Sequence, residues 1–158
     1  MNPKKRIASS VQKQMTTTAK KKNLSPYQKD FYKWTKKQAS FLKSGELEKL
    51  DIANLAEEIE SLGRSERRTL RSFLVVLLMH MLKVKYQPGK HTKSWNLSIE
   101  NARLELKEVL KENPSLKPEL ETIIKEAYAR ARLEASIETG LDKKSFPKAC
   151  PWQAKEIL

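Results

Sequence analysis

Between Phe73 and Leu82 the chain carries ten consecutive uncharged residues, and all but His80 are apolar. The stretch Phe73 to Met79 is apolar on every face of a helix, so it has to lie at the buried centre of a bundle. It is too short to cross a bilayer, which takes about 20 such residues, so no membrane span is expected. The surrounding sequence favours the same class. Glycine is scarce at four residues and charged residues make up 32% of the chain, and the abundant Leu, Glu, Lys and Ala lose little rotamer freedom in a helix. The expectation is an all-α, single-domain bundle of about five helices over residues 25–158, behind a disordered basic tail over residues 1–24.

Capping residues and glycines predict the boundaries. Ser25 followed by Pro26 starts a helix to about Lys43, with Tyr27, Phe31, Trp34, Gln38 and Phe41 or Leu42 as its inward stripe and Gly45 as its stop. Asp51 caps a second helix, striped by Ile52, Leu55, Ala56, Ile59 and Leu62 and ended by Gly63. Ser65 caps a third from Glu66 to about Tyr86. A loop from Gln87 to Lys93 leads to a fourth, capped by Ser94, with Trp95, Ile99, Ala102, Leu106 and Val109 or Leu110 in phase. Asn113-Pro114 closes it. The fifth runs from about Lys117 to Thr139, places Leu120, Ile123, Ala127, Ala131 and Ala135 on one face, and stops at Gly140. Phe146, Pro147, Cys150, Pro151 and Trp152 read as a strap over the core edge that ends in a short helix. No repeat of about 34 or 40 residues is present.

Charge is unevenly placed. Residues 1–23 hold Lys4, Lys5, Arg6, Lys13, Lys20, Lys21 and Lys22 and no acid, which is +7 of the formal +13. From Leu24 onward 25 basic and 19 acidic residues leave +6, which a solvated helical surface can carry. Ile7, Val11 and Met15 are too little apolar surface to order the tail, and Met15 is an alternative start. Cys150 is the only cysteine, so there is no disulfide partner within the chain. With no apolar leader at the N-terminus, an intracellular protein is expected.

Tyr27-Gln28-Lys29-Asp30-Phe31-Tyr32-Lys33-Trp34, the run from Ala53 to Arg68 containing Glu-Glu-Ile-Glu-Ser-Leu-Gly-Arg-Ser-Glu-Arg-Arg, Leu77 to Lys83 with His80, Tyr86-Gln87-Pro88, Ser94-Trp95, Asn113-Pro114-Ser115-Leu116, and Phe146-Pro147 to Cys150-Pro151 together resemble the bacterial family called domain of unknown function 29. The resemblance covers about residues 26–158 and leaves the basic tail outside. It implies a helical fold and carries over no catalytic residue, cofactor or partner.

Several clusters have the residue types that chemistry needs. Glu57, Glu58, Glu60 and His80 could ligate a metal between two helices, but the Glu-x-x-His pairs that place both ligands on one helix face are absent, and no metal or cofactor is expected. His80 is expected as a neutral imidazole bonded to a carboxylate such as Glu58. Arg64, Arg67, Arg68 and Arg71 crowd the start of the third helix, where the dipole disfavours cations. They either pair with Glu57, Glu58 and Glu60 or form a site for a phosphate or a partner's carboxylate. Lys83, Lys85, Lys90, His91, Lys93, Ser94 and Trp95 form a second basic and aromatic cluster, which holds phosphodiester with Trp95 or Tyr86 stacking, or else has Trp95 in the core at the start of an apolar stripe; the lysines are expected to be exposed either way. A Cys150 nucleophile has no supporting signature beside His80 or His91. Walker, Rossmann, kinase and Gly-x-Ser-x-Gly patterns are absent.

Three functions follow in order. The first is a non-enzymatic module binding an anionic partner, nucleic acid foremost, through Lys4, Lys5, Arg6, Lys20, Lys21, Lys22, Lys83, Lys85, Lys90 and Lys93. The second is a protein-interaction or regulatory module. The third is an enzyme using Glu58, Arg67 and His80 at a junction of the second and third helices. Pro3-Lys4-Lys5-Arg6 and Lys20-Lys21-Lys22, 13 residues apart, also resemble a nuclear localisation signal, meaningful only for a protein delivered into a eukaryotic host.

Overall fold

Ser25 and Asp30 decide how the chain enters its first helices. The computed structural model describes residues 24–158, and the basic segment before them lies outside the described residues. Ser25 Oγ accepts from the Gln28 amide at 3.3 Å, and Gln28 Oε1 accepts from the Ser25 amide at 3.2 Å. This reciprocal cap starts α1, Pro26–Lys29,. The single helix expected here is broken at Asp30, whose carboxylate accepts the Lys33 amide at 2.9 Å and caps a second one, α2, Phe31–Ser44. Asp is a better cap than helix-interior residue, so the break falls on it. α2 stops at Gly45, with φ of 74°. The Gly45 and Glu46 amides donate to Leu42 and Phe41 carbonyls, and only glycine adopts that left-handed turn without a penalty,.

The chain divides into two compact units, one ending at Asp51 and one spanning Ile52–Leu158. In the first, Trp34 is buried, its ring meeting Tyr27 at 4.9 Å and Phe31 at 5.7 Å. Its indole N–H donates to Asp51 Oδ2 at 3.1 Å, and the buried Gln38 accepts the Asp51 amide at 2.8 Å. Of the expected stripe, Trp34 and Gln38 are inside, whereas Phe31 and Leu42 are exposed.

The second unit is organised by one helix where two were expected. α3 runs without interruption over Ile52–Tyr86, 35 residues. Gly63 does not stop it, and Ser65 is an interior residue rather than a cap. An interior glycine costs about 0.5–1 kcal/mol, which strong helix formers on both sides, Glu57 to Leu62 and Arg64 to Arg71, outweigh. After the turn Pro88–Lys90 come α4, Lys93–Glu112, and a 3₁₀ stretch, Pro114–Glu119. α5, Leu120–Thr139, ends at Gly140 with φ of 72°. A strap then leads to α6, Ala154–Ile157. The class is all-α, with six α-helices and no strand among the described residues.

The core lies where the C-terminal half of α3 packs on α4 and α5. Leu70, Leu74, Leu77, Leu78 and Leu82 meet Ala102 and Leu106 of α4 and Ile123, Ala127, Ala131 and Ala135 of α5. The alanine face of α5 allows the close approach its sequence predicted. Phe146 and Ile157 plug the edge. The strap is latched by polar bonds as well: Tyr128 donates to the Pro147 carbonyl at 2.8 Å, Arg132 to Phe146 at 3.1 Å, and Arg103 to the Ile157 and Glu156 carbonyls, each at 2.9 Å.

Candidate functional site

The arginine cluster sits in the middle of α3, not at a helix start, so the helix dipole plays no part in it. Its partners also differ from those expected. Arg67 forks onto Glu126 of α5, with Nη1 to Oε2 at 3.0 Å and Nη2 to Oε1 at 2.8 Å, while Nε donates to Glu119 at 3.0 Å. The bidentate guanidinium is ideal for a carboxylate, and it holds the Glu126 carboxyl below its usual range and the Arg67 pKa above its own. Arg71 stands 4.0 Å from Glu126. Of the acids expected to neutralise the cluster, Glu60 does so, accepting from Arg64 at 3.3 Å within the same helix. Arg68 is exposed.

Glu58, Arg67 and His80 are not brought together. All lie on α3, and at 1.5 Å per residue Glu58 and His80 are about 33 Å apart along the axis. The expected junction of two helices does not exist, and Glu58 is not the partner of His80. Instead His80 Nδ1 is buried without a hydrogen-bond partner. Burial, then the nearby Lys83 charge, lower the pKa of the imidazole, against the pull of Glu138. Among the described residues no group of three His, Cys, Asp or Glu side chains is placed to hold a metal ion.

The lysine cluster divides. Lys83 was expected to be exposed and is only 6% exposed. Its ammonium lies 2.5 Å from Glu138 Oε2 and 4.4 Å from the centroid of Trp95, so it is committed internally. Trp95 is half-buried rather than core. Lys85, Lys90 and Lys93 are exposed, and Lys85 lies over the Trp152 ring at 5.5 Å. Lys4, Lys5, Arg6, Lys20, Lys21 and Lys22 lie outside the described residues. Cys150 contacts the Trp152 carbonyl at 3.5 Å, and burial pushes its thiol pKa up, away from the reactive thiolate,.

Two surfaces emerge that the sequence reading did not single out. Lys29 at the end of α1 and Lys33 and Lys37 of α2 line a groove of about 280 Å³ with Pro26, Asp30 and Trp34. The other is the first half of α3. Stepping back from buried Leu70 by three and four residues reaches Glu66, Leu62, Ile59, Leu55 and Ile52, which continue the core-facing side of the helix. α4 and α5 do not follow it that far: Glu66 accepts from Asn113, just past the end of α4, and Arg67 meets Glu119, just before α5. Beyond that lip Ile52, Ile59 and Leu62 are 68%, 67% and 69% exposed. The spacing was visible in the sequence, but it was read as core because helices with such a stripe usually bury it.

The sequence model described as Domain of unknown function DUF29 matches residues 26–158. The chain belongs to this family. The matched region takes in all six α-helices, both exposed surfaces and the strap. None of the curated proteins matches the chain, and neither does any solved structure. Among the described residues no helix is long and apolar enough to cross a membrane.

Proposed function

We propose that this member of the family is a helical protein-interaction module whose contact surface is the first half of α3. One observation carries the reading. The side of α3 that is sealed against α4 and α5 from Leu70 onward continues bare through Leu62, Ile59 and Ile52. Apolar side chains exposed singly are ordinary, whereas a row at helical spacing is what a groove-binding or helix-pairing partner uses. Arg67 and Glu66 fix this segment to the bundle at its base, so it is presented already helical and little ordering entropy is lost on binding,. Affinity capture with wild-type and Ile59→Asp/Leu62→Asp protein after nuclease treatment tests it. The expected result is one identified protein retained by the wild type and lost by the variant, with the variant's helical circular dichroism unchanged; the same bound proteins in both would sink the reading.

A second reading, nucleic-acid binding, is favoured by a separate observation. Residues 1–51 hold thirteen Lys and Arg against four Asp and Glu, and Lys33 and Lys37, which share one face of α2 and so repel one another, line a groove with Lys29. Lys85, Lys90 and Lys93, with the lysines and arginine of residues 4–22, would add phosphate contacts. Arg64, Arg67 and Lys83 are already paired and contribute less than their charges suggest. Fluorescence anisotropy on single-stranded DNA should show affinity falling at least tenfold between 50 and 200 mM salt. An affinity independent of salt removes this reading.

A further inference from the structure

The end of α3, the first half of α4 and the strap line a cleft of about 370 Å³. α3 supplies Met81, Val84 and Lys85, and α4 supplies Asn96, Ile99, Glu100 and Arg103. Both sets follow at steps of three and four, so a single face of each helix turns to the cleft. Trp152 of the strap forms the remaining wall. Met81, Val84, Ile99 and Trp152 are half-buried, which leaves part of their apolar surface open there.

The polar lining holds both signs of charge. Lys85 and Glu100 are exposed, and among the described residues neither makes an ion pair. The Lys85 ammonium lies over the Trp152 ring at 5.5 Å, a contact that water weakens,. Arg103 spends Nε and Nη2 on the Ile157 and Glu156 carbonyls. His91 Nε2 donates to Asn96 Oδ1 at 2.7 Å, which leaves the Asn96 amide N–H groups to donate elsewhere. Along α4, Asn96 and Glu100 are separated by about 6 Å of axial rise. Two hydrogen bonds of about 2.9 Å span that interval, as a ligand with ammonium and carboxylate on one carbon requires.

We infer that the cleft binds a free α-amino acid with an apolar side chain. Glu100 takes its ammonium, Lys85 and Asn96 take its carboxylate, and Met81, Val84, Ile99 and Trp152 receive its side chain. The volume is at the small end of ligand sites, which run to about 300–1,000 Å³, and suits one amino acid. A simple carboxylate sets its apolar body beside an unanswered Glu100, and a simple amine does the same at Lys85, so each forgoes a charge-assisted hydrogen bond. The cleft lies about 28 Å along α3 from Leu62, so a ligand there is independent of a partner on the bare stripe.

Isothermal titration calorimetry on the full chain tests this with L-leucine, L-phenylalanine and two leucine analogues, 3-methylbutylamine without the carboxylate and 4-methylpentanoate without the ammonium. L-leucine or L-phenylalanine should bind at least tenfold more tightly than either analogue. Lys85→Gln should lower that affinity at least tenfold and leave 3-methylbutylamine unchanged, whereas Glu100→Gln should lower it at least tenfold and leave 4-methylpentanoate unchanged. Both side chains are exposed, and unchanged helical circular dichroism verifies that the variants fold. If 4-methylpentanoate binds as tightly as the amino acids and is indifferent to Glu100→Gln, the cleft takes plain carboxylates and the inference falls. Binding of neither amino acid, or equal affinity in wild type and both variants, overturns it as well. None of these results bears on the Ile59→Asp/Leu62→Asp capture, so the interaction-module reading is judged separately.

Discussion

His80 carries a ring nitrogen, Nδ1, that is sealed from solvent and has no hydrogen-bond partner. A buried polar atom left unpaired costs about 1–3 kcal/mol, and charging the ring would cost more, which is why its pKa is lowered. The unfolded chain therefore binds a proton at higher pH than the folded one. Stability is full above the unfolded value of about 6.5 and declines as pH falls towards the lowered folded value. His80→Leu should keep the fold and flatten the decline in urea midpoint between pH 7.5 and pH 5.5; a slope equal to wild type would show that other groups set it. Lys83 gives the opposite lesson. With Glu138 at its ammonium, Glu138→Gln leaves a buried cation unpaired and should destabilise by roughly 2–4 kcal/mol, discounted from fully buried pairs because Glu138 is half exposed,. Lys83→Met removes the charge together with the need for a partner and should fall within about 1 kcal/mol of wild type. Chemical denaturation of the two variants separates these outcomes.

At the scale of elements, Gly63 and Gly140 look alike in sequence, each following a helical stripe, and they behave oppositely. Gly140 is left-handed and ends α5, while Gly63 lies within α3 with open space where a Cβ would sit. Gly63→Ala should accordingly raise stability by about 0.5–1 kcal/mol, and Gly140→Ala should lower it by about 1–2 kcal/mol. Calorimetric midpoints moving in opposite directions would verify the continuous helix. A loss at Gly63 would restore two separate helices. The stripes of α4 and α5 were legible because Leu106, Ile123, Ala127 and Ala131 repeat at helical spacing and are buried on that face. The cap at Ser25, followed by Pro26, was legible for the same local reason. The break at Asp30 was not, because an aspartate four residues into a helical pattern is compatible with either a continued helix or a new cap.

For the whole molecule, the decisive features are the ones that hold distant segments. Phe146 is 2% exposed, meets Tyr86 edge-on at 5.3 Å, and closes the core where the strap crosses it. Phe146→Ala should cost about 3–5 kcal/mol, measured by urea unfolding. Arg103→Ala, which frees the two carbonyls at the end of α6, should cost less, because those groups regain water as the strap lifts. The arginine-rich stretch of α3 is likewise a piece of scaffolding: Arg67 spends its fork on Glu119 and Glu126, 52 and more residues away.

Composition, helical periodicity and capping chemistry are local, and they sufficed to determine an all-α chain and the stops at Gly45 and Gly140, while the run from Phe73 to Leu82, expected inside on every face, buries Leu74, Leu77, Leu78, Met79 and Leu82 and leaves Val76 exposed. Whether a glycine stops a helix, which carboxylate meets which arginine, and whether Lys83 faces water depend on neighbours far along the chain. Those were settled only when α4 and α5 closed over one half of α3. Their reach also left Ile52, Ile59 and Leu62 bare. A stripe of apolar residues announces that a helix has a side to bury, and the length of the helices packed against it decides how much of that side remains for something else.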